Sequence, residues 1–179
     1  MPRATIPPTT EFVDALLEAF AIDDRMNQLI LDHLDPRAWR ATLPATRNAR
    51  TIAALFAHMH NIRRKWIRLT APHLKLPPPL NRARSTPRQT RIALRRSAKQ
   101  CSMLLQEALG NPSGPVRQFR RDGWARPWPA GPSMFAYMLT HDAHHRGQIC
   151  MLAHQLGFPL PNHVNYGLWA WERLASLSN

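Results

Sequence analysis

Apolar residues recur at helical spacing in five segments of this 179-residue chain, and proline or glycine stands at the borders of those segments. Steps of three and four residues place apolar side chains on one face of an α-helix, whereas a half-buried strand needs alternation, which the chain lacks. Proline removes a backbone donor and clashes with the preceding helical turn, so it separates helices. The pattern therefore predicts an all-α fold.

The predicted helices are four long ones and a short one near the C-terminus. Their approximate bounds are 10–34, 48–69, 87–109, 133–156 and 164–177. Thr9 or Thr10 can cap the first helix and Thr86 the third, because a threonine hydroxyl accepts a hydrogen bond from a free N–H group of the first turn. We expect an antiparallel four-helix bundle with an additional short C-terminal helix.

The length fits one domain over residues 1–179, with a flexible N-terminal tail at 1–9. An irregular connection at 110–132 is rich in Pro, Gly and Arg, and is too polar to supply a core element. Cys101 and Cys150 form no disulfide framework and are expected in the core. Neither a signal peptide nor an apolar segment of membrane-spanning length is predicted, which favours a soluble cytoplasmic protein.

The charge is strongly positive. The chain has 24 Lys and Arg against 11 Asp and Glu, a formal net charge of +13, and no acidic residue between Asp35 and Glu107. A positive surface attracts anions, and nucleic acid is one candidate, but the chain has neither a groove-reading helix motif nor basic residues interleaved with aromatic ones. A basic solvated surface is the simpler interpretation, and an anionic substrate or a weak nucleic-acid contact is the alternative.

A histidine-rich run, HDAHHRGQ, extends from His141 to Gln148 within the predicted fourth helix. Residues four apart lie on the same face of a helix, so His141 and His145 can present both imidazoles to one metal ion. His144 lies three residues after His141, and spacing alone would allow it in place of His145. We prefer His145 because it continues the apolar stripe of that helix.

A third ligand is predicted on the second helix, since a metal ion in a protein usually takes at least three side-chain ligands. His58 lies in an apolar stripe between Leu55 and Ile62. A lone histidine there is usually a hydrogen-bonded core residue, but three core histidines without a partner would be costly to bury. A shared cation explains all three, and neutral imidazole suits zinc, nickel, iron or copper. His60 lies on the far side of the helix and is expected in solvent.

Four further residues are candidates for the pocket around this site: Asp23, His144, Arg146 and Gln148. Gln148 continues the ligand line, and His144 lies to one side of it. Asp23 is a possible partner of an imidazole N–H, a general base, or a carboxylate at the open end of the bundle, and we favour the last. Arg146 is expected to form a helix-end or interhelix salt bridge rather than to contact substrate.

Three stretches of sequence carry a family resemblance: TIAALFAHMHNIRRKW at 51–66, HDAHHRGQI at 141–149 and LGFP at 156–159. With them, the chain from about Phe12 to Trp171 resembles the DinB/YfiT-like (damage-inducible) family of metalloenzymes. The resemblance implies a four-helix bundle, commonly dimeric, with one metal ion held by His58, His141 and His145. It also implies zinc or nickel, which in related branches activates the sulfur of a low-molecular-weight thiol for transfer or isomerisation.

These observations favour a metal-dependent enzyme whose three-histidine site keeps an open coordination position, with nearby arginines orienting an anionic small-molecule substrate. The expected chemistry is thiol-dependent S-transfer or hydrolysis, in a homodimer without membrane attachment. The alternative is a stress-response binding module with a structural metal, whose basic surface binds nucleic acid or another acidic partner. A third interpretation is a bundle whose histidines hold no metal.

Overall fold

The computed structural model describes residues 9–43 and 50–177, and four long helices dominate it. They are α1 (Thr10–His33), α2 (Ile52–Thr70), α3 (Pro87–Gly110) and α4 (Pro132–Gln155). α1 and α2 each pack against both α3 and α4, so the four helices enclose one interior. The predicted helical fold class is confirmed. No helix in the described part of the chain is both long and apolar enough to cross a membrane.

Threonine caps begin three of these helices. The Thr9 hydroxyl accepts a hydrogen bond from the backbone N–H of Phe12, so Thr9 rather than Thr10 caps α1. Thr86 caps α3 and shares a reciprocal capping box with Gln89, which satisfies two otherwise free donors. Thr51 caps α2. The predicted start of α2 at Asn48 and the predicted tail up to residue 8 lie outside the described residues.

The connection between α3 and α4 is less irregular than predicted. It contains a small antiparallel pair, β1 (Gln118–Phe119) and β2 (Trp128–Pro129), in which Phe119 lies opposite Trp128. Phe119 is fully buried and packs edge-on against Trp66. The expectation that this stretch is too polar for the core is wrong at Val116 and Phe119, because a few apolar side chains are enough to attach a polar loop to the helices.

The C-terminal segment forms two short helices instead of the single one predicted. α5 (Asn162–Gly167) and α6 (Trp171–Ser176) are separated by a turn at 168–170. Leu174 of α6 is buried against Ile22 and Met26 of α1, whereas Trp169 in the turn is exposed. The turn allows α6 to pack its one buried residue, Leu174, on α1.

A polar layer divides the interior. One apolar cluster includes Phe20, Trp66 and Met138, and a second includes Ile30, Phe56 and Ile149. Between them along the helices lie buried polar side chains, namely Asp23, Asp24, Asn27, Arg63, Ser97, Asp142 and His145. Because buried polar groups require partners, this layer is where the structure has to satisfy charge and where a site can form.

Candidate metal centre

Three histidines from two helices meet at the edge of the polar layer. α2 contributes His58, and α4 contributes His141 and His145, which lie one turn apart. One ring nitrogen from each histidine lies within 4.8 Å of those of the other two. The ring centroids are 4.5 Å apart for His141 and His145, and 4.6 Å for His58 and His145. This spacing could hold one metal ion.

The environment of two of these imidazoles, His58 and His145, favours their neutral form. His145 is buried and the other two are half-buried. Burial, and then the neighbouring His145 and His141, lower the pKa of His58 to about 4. Burial also lowers the pKa of His145, although its hydrogen bond to Gln148 acts in the opposite direction. A neutral imidazole keeps one nitrogen lone pair, so these two rings are available as metal donors at neutral pH.

Hydrogen bonds orient two of the three rings. His145 Nδ1 donates to Gln148 Oε1 at 2.7 Å, and His141 Nδ1 lies 3.4 Å from Asp142 Oδ1, an acceptor. Each contact assigns the proton to Nδ1 and leaves the lone pair on Nε2, as is common for metal-binding histidines. His144 is exposed, lies outside the cluster and accepts from Gln148 Nε2 at 3.0 Å. The donor set and its orientation therefore fit a divalent transition metal.

The third ring, His58, has a cation as its neighbour. Arg82 Nη2 donates to His58 Nδ1 over 3.3 Å, from the loop between α2 and α3. The positive charges of Arg82 and Arg50 are among the lesser causes of the low His58 pKa. The mouth of the cluster is thus positively charged, in keeping with the expected anionic substrate.

A fully buried guanidinium lies beside the cluster, and sequence reasoning missed it. Arg63 Nη1 donates to Asp24 Oδ1 at 2.7 Å, and Arg63 Nε donates to Asp142 Oδ2 at 2.9 Å. The second terminal nitrogen, Nη2, also contacts Asp142 and lies 3.9 Å from Asp23 Oδ2. These bonds join α2 to α1 and α4 through charge. A solvated surface was the simpler interpretation of the basic residues between Asp35 and Glu107, and it is wrong for Arg63, which is fully buried.

The pKa values of Asp142 and Asp23 are shifted in opposite directions, although arginines lower both. Burial alone would raise the pKa of Asp142, but the Arg63 charge and hydrogen bonds hold it at about 2. Burial and the Asp142 charge raise the pKa of Asp23 to about 7, against the pull of Arg146 and Arg63. Opposite charge within a few ångströms favours ionisation, whereas a like charge and burial oppose it. Asp142 is therefore the firmly ionised partner of Arg63.

Asp23 does not lie at an open end of the molecule, and that expectation is wrong. It is buried, and Arg146 Nη1 donates to Asp23 Oδ1 at 2.6 Å. The same Arg146 nitrogen lies 3.3 Å from Asn27 Oδ1. Arg146 therefore makes the interhelix salt bridge preferred for it, between α4 and α1. The partners of Asp23 are arginines rather than an imidazole.

His60 is buried and not solvated as predicted. His60 Nε2 donates to the Pro78 carbonyl at 2.9 Å, and Nδ1 lies 3.1 Å from Ser97 Oγ. The next residue, Asn61, exchanges two hydrogen bonds with the backbone of Leu80. The prediction failed because the proline-rich loop, rather than water, covers this face of α2.

The two cysteines lie away from the histidine cluster. Cys101 is buried among apolar residues, and burial raises the pKa of its thiol to about 12. Cys150 is half-buried, and burial raises its pKa as well. Metal binding requires the thiolate, so neither cysteine is suited to complete the site.

Helical architecture together with a three-histidine cluster defines the class of protein: an all-helical chain with a group that could hold a metal ion. The sequence matches the profile of the DinB family over residues 8–172, nearly the whole chain. The chain belongs to the DinB family. Searches among curated proteins and among solved structures found no match.

Proposed function

We propose that this DinB-family protein is a metal-dependent enzyme in which His58, His141 and His145 hold one divalent transition metal. The observation that carries this proposal is the convergence of three imidazoles within 4.8 Å. Gln148 and Asp142 direct the lone pairs of two of them to Nε2. Metal-binding histidines in proteins are usually oriented by a hydrogen bond of this kind.

Zinc or nickel suits the donor set best, because borderline metals prefer neutral imidazole nitrogen. Three protein ligands leave a coordination position open for a reactant. A bound metal of this kind lowers the pKa of a thiol or water that it coordinates, so a nucleophile forms near neutral pH. The arginines at the mouth then attract an anionic small molecule. Thiol-dependent S-transfer or hydrolysis is the chemistry that combines these properties.

The proposal includes the architecture expected from the sequence. The four long helices form an antiparallel four-helix bundle, and two copies of the chain form a homodimer in the cytoplasm. The packing of α1 and α2 against both α3 and α4 supports the bundle. Sedimentation of the purified protein gives the oligomeric state directly.

The test of enzymatic function begins with elemental analysis of the purified protein. The metal-loaded protein is then assayed with a panel of low-molecular-weight thiols and electrophilic acceptors. We expect turnover that is lost on chelation and restored by zinc or nickel, and that is absent from the His58→Ala/His145→Ala variant. Turnover that survives both chelation and the double substitution would exclude the metal as the catalyst.

The basic outer face of α3 favours a second candidate function. Arg88, Arg95, Arg96 and Lys99 are all exposed there, on a stretch of chain without any acidic residue. A row of this kind suits phosphate groups, so the protein would be a stress-response module that binds nucleic acid and carries a structural metal. Binding to a duplex of arbitrary sequence should then weaken steeply between about 50 and 200 mM salt. The rate of a metal-dependent thiol reaction should not fall steeply over the same range of salt.

A further inference from the structure

The loop that carries Arg82 is fixed on both sides of that residue, to α2 on one side and to the segment that follows α1 on the other. On one side, Leu80 N–H donates to Asn61 Oδ1 and the Leu80 carbonyl accepts from Asn61 Nδ2, at 3.1 and 2.9 Å. On the other side, the Ser85 carbonyl accepts from Trp39 Nε1 at 3.0 Å and from Arg40 at 2.6 Å. The backbone of Arg82 is therefore held beside the histidine cluster.

The turn itself is also structured. The Asn81 side chain accepts from the backbone N–H groups of Ala83 and Arg84, at 2.9 and 3.1 Å. Asn61, which anchors the adjoining residue Leu80, lies three residues after His58, so both ends of the Arg82 contact are attached to α2. The hydrogen bonds that hold the loop backbone therefore place Arg82 next to His58.

The charge of Arg82 is not neutralised by an acid. Arg82 is exposed, and among the residues that the structure describes it takes part in no ion pair. No Asp or Glu occurs anywhere from residue 36 to 106. A guanidinium carries five donors and no acceptor, and it recognises carboxylate or phosphate oxygens in pairs. Among the described residues its hydrogen bond goes to a neutral imidazole, so Arg82 retains most of its capacity for an anion.

The contact between Arg82 and His58 is incompatible with metal binding by His58. Arg82 can only donate, so His58 Nδ1 accepts with the single lone pair of the neutral ring. A metal bound through Nδ1 would need that same lone pair. A metal bound through Nε2 would leave the proton on Nδ1, which then could not accept. In either case Arg82 has to release His58.

We infer that Arg82 is the substrate-recognition residue of this site: it leaves His58 when the site is loaded and binds the anionic group of the substrate. This inference rests on the proposed function and names its substrate class, a thiol or acyl compound bearing a carboxylate or phosphate close to the reacting atom. Arg82 Nη2 lies 3.3 Å from a ring of the cluster, so the anionic group needs a spacer of only a few bonds.

The test compares two small thiols on protein loaded with cobalt(II), whose visible spectrum reports sulfur binding. The probes are 3-mercaptopropionate, which has the carboxylate, and 2-mercaptoethanol, which lacks it. The variants are Arg82→Gln and Arg82→Lys, with Arg84→Gln as a matched control in the same turn. Arg84 is exposed and has the same charge. Binding of cobalt(II) alone is measured for each protein first.

We expect wild-type and Arg84→Gln proteins to bind 3-mercaptopropionate about tenfold more tightly than 2-mercaptoethanol, which is the contribution of one charge-assisted hydrogen bond. Arg82→Gln should lose this preference and bind cobalt(II) itself more tightly, because the competing donor and its charge are gone. Arg82→Lys should retain part of the preference. An Arg82→Gln variant that keeps the full preference, or binds cobalt(II) less tightly, would overturn the inference. Failure of the wild type to bind cobalt(II) would instead refute the proposed function.

Discussion

Two groups of polar side chains lie side by side in the interior: the histidine cluster, and the Arg63 cluster, which is Arg63 with Asp23, Asp24 and Asp142. Both place polar groups away from water, but they satisfy those groups in different ways. They meet at consecutive residues of α4, His141 and Asp142. Arg63 is fully buried and is neutralised by Asp24 and Asp142. His58 and His141 are half-buried and His145 is buried, burial lowers the pKa of His58, and the carboxylate beside His141, that of Asp142, is already paired with Arg63. The charges of the Arg63 cluster are paired without a ligand. The histidine cluster has imidazole lone pairs that a bound cation would use.

The comparison shows why buried charge alone does not identify a binding site. The carboxylates of Asp24 and Asp142 are also potential metal ligands, but a guanidinium already occupies them. Neutral imidazoles carry lone pairs without a charge that the fold must compensate. We therefore expect the Arg63 cluster to determine stability and the histidine cluster to determine metal affinity.

The largest effect is expected from Arg63→Met. Removing one partner of a buried ion pair leaves uncompensated charge in the interior, which costs about 3–5 kcal/mol of the free energy of unfolding. Urea denaturation measures this as a lower midpoint with an unchanged slope. Arg37→Met, which removes an exposed ion pair with Asp35, is the control and should leave the midpoint unchanged. A similar midpoint for the two variants would contradict the role given to Arg63.

Asp142→Asn sharpens the comparison because Asp142 contacts both clusters. It loses a charged partner of Arg63, so we expect a destabilisation of about 1.5–3 kcal/mol. It also weakens the orientation of His141, which should lower metal affinity about tenfold. Urea denaturation and metal titration of the same preparation give the two values. A variant that changes neither value would show that the clusters are not linked through Asp142.

Gln148→Leu should affect the histidine cluster alone. Gln148 accepts from His145 Nδ1 at 2.7 Å, so its loss releases the ring and should lower metal affinity about 10- to 100-fold. Stability should change little, because the hydrogen bonds of Gln148 within the described part of the chain go to His145 and His144 and not to Arg63 or its carboxylate partners. Gln155→Leu, at the exposed end of α4, is the control. Equal metal affinities for the two variants would show that Gln148 does not support metal binding.

The last contrast is a pH dependence of opposite sign in the two regions of the metal-free protein. The pKa of His58 falls from 6.5 to about 4 on folding, so its contribution is complete above pH 6.5 and is lost as the pH falls towards 4. The pKa of Asp23 rises from 3.8 to about 7, so its protonation favours the folded state as the pH falls from 7 to 4.

The measurement is the free energy of unfolding of the wild type, His58→Gln and Asp23→Asn between pH 7.5 and 4.5. As the pH falls, the free energy of unfolding of the wild type should decrease relative to that of His58→Gln. Over the same pH range, the free energy of unfolding of the wild type should increase relative to that of Asp23→Asn. Parallel curves for all three proteins would show that neither group titrates as its surroundings indicate.

The sequence allowed the three-histidine cluster to be predicted because helical spacing fixes which residues share a face. His141 and His145 are four apart, and His58 lies in an apolar stripe of α2, so the cluster required only that these faces meet. The caps at Thr9 and Thr86 were also predictable, since they depend on local chemistry. These are features in which a few neighbouring residues determine the outcome.

The parts that were missed depend on contacts between distant residues. Arg63 lies on the buried stripe of Phe56, Met59 and Trp66, a signal that was overlooked because a charged residue is usually solvated. Its partners come from other helices, at separations of 39 and 79 residues. His60 was misplaced because nothing in its neighbourhood indicates that a loop covers it. The pairing of Arg82 with His58 likewise follows from where that loop is anchored.

The central claim is that His58, His141 and His145 form one metal site beside a charge cluster that takes no metal. The most direct test is titration of the metal-free protein with cobalt(II), comparing the wild type with His58→Ala/His145→Ala and with His144→Ala. We expect one bound ion per chain for the wild type and for His144→Ala, and none for the double variant. Stoichiometric binding by the double variant, or its absence from the wild type, would contradict the account.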